Sequence, residues 1–94
     1  EGNITKEKAN DLILLYEIEL DILSDHFEDA LKKSIIITDP NERNNIQDKI
    51  YLIMIEDFLN NGNSEEAIKL SNKINNSFKR DKIQDKINSY ENNQ

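Results

Sequence analysis

Cysteine, tryptophan and valine are absent from this 94-residue chain, and proline, histidine and methionine occur once each. The lack of cysteine excludes disulfides and thiolate chemistry. It also leaves His26 with no second His or Cys to make a metal site, so no metal and no cofactor is expected. Only two glycines are present, at positions 2 and 62, so there is no glycine-rich loop to cradle a phosphate. No apolar run approaches the roughly 18 residues of a membrane-spanning helix, and no signal-peptide pattern opens the chain. The first residue is Glu1 rather than Met. The chain therefore reads as an excised piece of a longer protein. The cell envelope, with a leader removed, and the cytoplasm both stay open as locations.

Isoleucine, asparagine and charge dominate what is there: 15 Ile, 14 Asn and 33% charged residues against 36% apolar ones. A chain of this length makes one domain with a modest core, hiding about 60–65% of its unfolded surface. The net charge of −7 is uneven. Residues 1–47 carry 5 Lys/Arg against 11 Asp/Glu, and residues 48–94 carry 7 against 8. An acidic chain repels phosphate backbones, which argues against nucleic acid as a partner. The charge serves solubility, and a basic partner would suit the N-terminal half.

Residues 28–50 return at 65–87. Glu28-Asp29-Ala30-Leu31-Lys32 aligns with Glu65-Glu66-Ala67-Ile68-Lys69, and Ile46-Gln47-Asp48-Lys49-Ile50 with Ile83-Gln84-Asp85-Lys86-Ile87. The offset is 37 throughout, and 11 of the 23 aligned positions are identical. A duplicated unit of this length marks a stacked repeat architecture. The units run over roughly 9–45 and 46–82, with the start of a third over 83–90, inside one all-helical domain of residues 1–94. Arg43 and Arg80 recur at one phase, as do Asp48 and Asp85, and the arginines suit hydrogen bonds to loop carbonyls.

Helical spacing predicts five helices. The first covers about 5–23, capped by Thr5 and apolar on more than one face. Asp25 with Glu28 reads as a capping box opening a second helix over about 26–37, with Phe27, Ala30, Leu31, Ser34, Ile35 and Ile37 facing inward. Asp39-Pro40-Asn41-Glu42 places Asp at the N-cap, Pro at N1 and Glu at N3, so a third helix starts at Pro40 and runs to about 60. Gly62 stops it and Asn63 caps a fourth helix over about 64–75. A fifth runs from about 77 to 90, carrying Phe78, Ile83, Ile87 and Tyr90, and the tail beyond it is expected to fray.

Tyr51, Met54, Phe58, Gly62 and Ala67 match in spacing the aromatic, apolar, aromatic, turn and small positions of a tetratricopeptide repeat, and the unit from Tyr51 to Ile74 resembles one. The match has gaps. Ile55 and Ser71 replace a small residue and an aromatic, and no Pro follows Ile74. In the earlier unit Leu14 and Ala30 match, whereas Glu17 and Asp21 stand at apolar places and Asp25 replaces the turn glycine. The resemblance implies an all-α fold of antiparallel helical hairpins stacked as a short right-handed solenoid. It further implies a groove lined by the first helix of each unit, at Leu12, Leu15, Glu19 and Ile22 and at Lys49, Leu52, Glu56 and Leu59.

The expected function is therefore a non-enzymatic module that docks a helix or extended segment of another protein. Self-association through the apolar row, giving a homodimer, is one alternative. Another is a small acidic inhibitor, like an antitoxin, that masks a basic partner with Glu17, Glu19, Asp21, Asp25, Glu28 and Asp29. Helix-turn-helix DNA binding is the weakest option, because Lys79, Arg80, Lys82 and Lys86 form the only basic helix stretch.

Overall fold

The structure, a computed structural model, describes residues 4–92. Among them are five helices and no strand: α1 (Lys6–Leu23), α2 (Phe27–Ile36), α3 (Pro40–Asn60), α4 (Ser64–Ser71) and α5 (Ser77–Asn92). The fold is all-α. The starts follow from the caps. Thr5 Oγ1 accepts from the Lys8 N–H, Asp39 Oδ1 from the N–H groups of Asn41 and Glu42, and Asn63 Oδ1 from the Glu66 N–H. Asn76 Oδ1 likewise accepts from the Lys79 N–H at the head of α5.

The chain divides into two compact units, Glu1–Ile46 and Gln47–Gln94, with the division falling inside α3. In unit 1, α1 packs on α2. Ile18 and Ile22 of α1 are buried, as are Ala30 and Ser34 of α2 and Ile37 just beyond it. In unit 2 the core gathers Ile55, Leu59, Ala67, Ile74, Ile83 and Ile87, with Phe58, Leu70 and Tyr90 packed against it. The two sets are one pattern. Ile18, Ile22, Ala30, Ser34 and Ile37 stand 37 residues before Ile55, Leu59, Ala67, Ser71 and Ile74, and all ten are buried. Ala30 and Ala67 are both fully hidden, so a larger side chain at either would overpack its unit by about 1–3 kcal/mol.

The repeat extends to the backbone. Gly62 has φ 76° and Asp25, its counterpart, has φ 61°. Asp25 is therefore not the cap of α2, contrary to the capping-box expectation. The N-cap is His26, with no side-chain cap bond, and Asp25 bends the chain left-handed as glycine does. One pair of positions changes chemistry between units. Lys33 Nζ donates to Asp21 Oδ2 at 2.7 Å, and this bond chiefly raises the lysine's pKa. The same positions in unit 2 are Phe58 and Leu70, both packed on the core. An ion pair has replaced an apolar pair, which explains the carboxylate at an otherwise apolar place.

Three expectations are corrected. Helix α4 ends at Ser71, not near 75, because the N–H groups of Asn75 and Asn76 go to Asp48 instead of continuing the helix. Ile35 does not face inward and is 68% exposed. Phe78 is exposed, with Lys82 Nζ lying 5.3 Å from its ring centroid. Residues 93 and 94 of the expected frayed tail lie outside the described residues, and Glu91 and Asn92 are helical.

A Cβ added at Gly62 would meet nothing within 4 Å, so only the backbone angle opposes a side chain there. Gly62→Ala is expected to lower stability by about 1 kcal/mol and Asp25→Gly to raise it by a smaller amount, read as shifts of the urea midpoint.

Candidate functional site

Two buried aspartates, Asp11 and Asp48, hold the loops before α3 and α5. Asp11 on α1 is buried, and its Oδ1 accepts from the Thr38 N–H at 2.9 Å. Its Oδ2 accepts from the Thr38 hydroxyl at 2.8 Å and the Asp39 N–H at 3.1 Å. Asp48 on α3 does the same 37 residues later. Its Oδ1 accepts from the Asn75 N–H at 2.7 Å and its Oδ2 from the Asn76 N–H at 3.0 Å. Each carboxylate thus holds the last loop residues before the next helix. An arginine fixes the same loop from the other end. Arg43 donates to the Ile37 carbonyl at 2.8 Å and Arg80 to the Ile74 carbonyl at 3.1 Å, which is the loop-carbonyl bonding that their shared phase suggested. Backbone donation from Thr38 is the main cause of the Asp11 carboxyl lying below its ordinary value. Burial opposes it, while the Thr38 hydroxyl, the Asp39 N–H and Arg43 add to the lowering.

Each unit carries an open groove, and that of unit 1 lies beside the Asp11 clasp. In unit 1 it has a volume of about 280 Å³, with Leu12 and Leu15 as its apolar residues and Glu7, Asp39 and Glu42 at its edge. In unit 2 it is about 460 Å³, with Leu52 and Ile83 as its floor and Lys79, Lys82 and Lys86 around it. Leu15 and Leu52 are one period apart, as are Glu42 and Lys79. The two grooves share these two positions and differ in the rest of their lining. The first is mainly acidic, with Lys8 as its one cation, and the second mainly basic, with Asp85 as its one carboxylate.

The eight residues expected to line a groove fall into different environments. Leu12, Leu15 and Leu52 line grooves. Ile22 and Leu59 are buried, and Leu59 belongs to the core of unit 2, so neither is open to a partner. Lys49 is exposed and Glu19 half-buried. Glu56 is not waiting for a partner's cation: Lys86 Nζ donates to its Oε2 at 3.0 Å. Of the acidic set considered for an inhibitor, Asp21 is engaged by Lys33 and Asp25 forms the turn. Glu17, Glu28 and Asp29 are exposed.

Reasoning from sequence missed Asp11, although its counterpart Asp48 had been noticed. Extending the 37-residue alignment upstream of Glu28 reaches it directly. The basic edge of the second groove was also missed. Lys79, Lys82 and Lys86 had been weighed only as a nucleic-acid face. No protein-family model, no curated protein and no solved structure matches this chain.

Asp48→Ala removes the buried acceptor of the Asn75 and Asn76 N–H groups and is expected to cost about 1–2 kcal/mol in chemical denaturation. For Asp11 the sign follows from its lowered pKa. The stabilisation is present above the unfolded carboxyl value of about 4 and is lost as pH falls through the lower folded value. The urea midpoint should drop on acidification in that window, and by less in Asp11→Asn.

Proposed function

We propose that the chain is a non-enzymatic protein-interaction module of helical-hairpin repeats, similar in kind to the tetratricopeptide repeats, and that a partner segment lies in its grooves. One observation carries the reading. Leu15 and Leu52 are the same residue at the same phase, and both remain half-buried beside an open groove. Leu52 also packs against the core of its unit, and it lines the groove as well. The carboxylates that could have served chemistry are otherwise engaged, since both oxygens of Asp11 and of Asp48 accept backbone N–H groups. This favours binding over catalysis.

The edge charge names the occupant of the second groove. Lys79 and Lys82 beside Leu52 and Ile83, with Lys86 paired to Glu56 and Asp85 the one carboxylate among the lining residues, suit an extended or helical segment with an apolar side chain flanked by carboxylates. The partner's apolar side chain supplies most of the affinity. Rim lysines add little each while exposed, and serve chiefly orientation and rate.

A fluorescent peptide with leucine set between glutamates provides the test. Titrated into the full chain, it should bind less tightly as salt is raised. Leu52→Asp should weaken it about tenfold, with helicity by circular dichroism unchanged because Leu52 is not a fully buried residue. Binding that is indifferent to Leu52→Asp would remove the groove from consideration.

A further inference from the structure

Helix α1 has a second apolar face, away from its core residues. Ile13, Tyr16, Leu20 and Leu23 recur at helical spacing and are 56%, 67%, 46% and 81% exposed. Four large apolar side chains on one stripe of one helix form a contiguous patch, not scattered exposure. The chain itself shows what such a stripe normally meets. Ile13 and Tyr16 stand two periods before Ile87 and Tyr90 of α5, and the residue types are identical. On α5, which α4 packs against, Ile87 is fully buried and Tyr90 packs on the core that includes Ala67 of α4 and Ile74. The same two residues at the same phase are thus covered by a helix in one place and bare in the other.

From this we infer that the Ile13–Leu23 stripe of α1 is a docking site for a basic amphipathic helix of a partner protein, seated as α4 seats on α5. Two observations identify the occupant. The seat calls for a helix with a small residue at the crossing and a branched apolar residue beside it, as Ala67 and Ile68 of α4 provide. A second copy has no such face to spare, because Ala30 and Ala67 are both fully buried. Charge gives the sign. Unit 1 carries 5 Lys/Arg against 11 Asp/Glu, and the exposed Glu17 borders the stripe by helical phase. Two copies meeting stripe to stripe would bring these excess charges together, whereas lysines flanking a partner helix would be attracted to them. The stripe adjoins the first groove at Leu12, one turn before Tyr16, but Tyr16 and Leu23 line neither groove, so substitutions at those two residues test the stripe alone.

The test uses the full chain and a synthetic helix that repeats the Ala67, Ile68 and Ser71 spacing of α4 with lysines at its other positions. A scrambled peptide of the same composition is the control. The helix should bind about tenfold or more tightly than the control, and shift the NMR signals of Ile13, Tyr16 and Leu20. Tyr16→Glu and, separately, Leu23→Glu should each weaken it about tenfold. Both side chains are exposed, so circular dichroism should confirm an intact fold in each variant. Equal binding of helix and scrambled peptide, or wild-type affinity in both variants, would overturn the proposal. So would a dimer in light scattering that Leu23→Glu dissociates, because the stripe would then belong to a second copy.

Discussion

A carboxylate that reaches 27 residues along the chain to hold two consecutive backbone N–H groups is the interaction on which each unit depends. Burying a charge is unfavourable unless its lone pairs are filled. Asp11 and Asp48 meet that condition, and among the described residues no buried side-chain nitrogen or oxygen lacks a partner. The consequences spread outward. With its N–H groups taken, the loop cannot extend the helix before it. Arg43 or Arg80 then holds the preceding carbonyl, which keeps Ile37 or Ile74 buried. The next helix can only start where the loop releases it, with Asp39 or Asn76 as its cap.

The shared frame carries unlike surfaces. Among the described residues, the exposed large hydrophobics are Ile4, Leu12, Ile13, Tyr16, Leu20, Leu23, Ile35 and Ile36 in the first unit and Phe78 in the second. The counterparts of Leu20, Leu23, Ile35 and Ile36 are Asp57, Asn60, Asn72 and Lys73. The first unit is acidic with apolar outer faces, and the second is near neutral with a lysine-edged groove. Duplicated architecture fixed the positions of side chains, and divergence at those positions changed what each unit can attract.

A binding role also fits the energetics. A carboxylate clasp and an arginine at the α2–α3 and α4–α5 loops hold those loops in place, and a surface ordered in advance lowers the ordering cost of association. Leu52 packs in part against the core of its unit and in part lines the groove.

Much of this was legible from local chemistry. The helix starts at Pro40 and Ser64 were readable because Asp39 and Asn63 satisfy orphan N–H groups within a few residues, and the period of 37 was readable because the core positions repeat it. Asp25 was misread because a capping side chain and a left-handed turn residue draw on the same amino acids. Asp11 escaped because its partners lie 27 and 28 residues away, outside any local window. The sequence by itself thus determined the five helices, the caps at Thr5, Asp39 and Asn63, and the duplication. Only the tertiary structure decided which apolar stripes are covered. Ile13 and Ile87 share residue type and phase, yet one is bare and the other hidden, because burial is a property of the neighbouring helix and not of the helix that carries the residue.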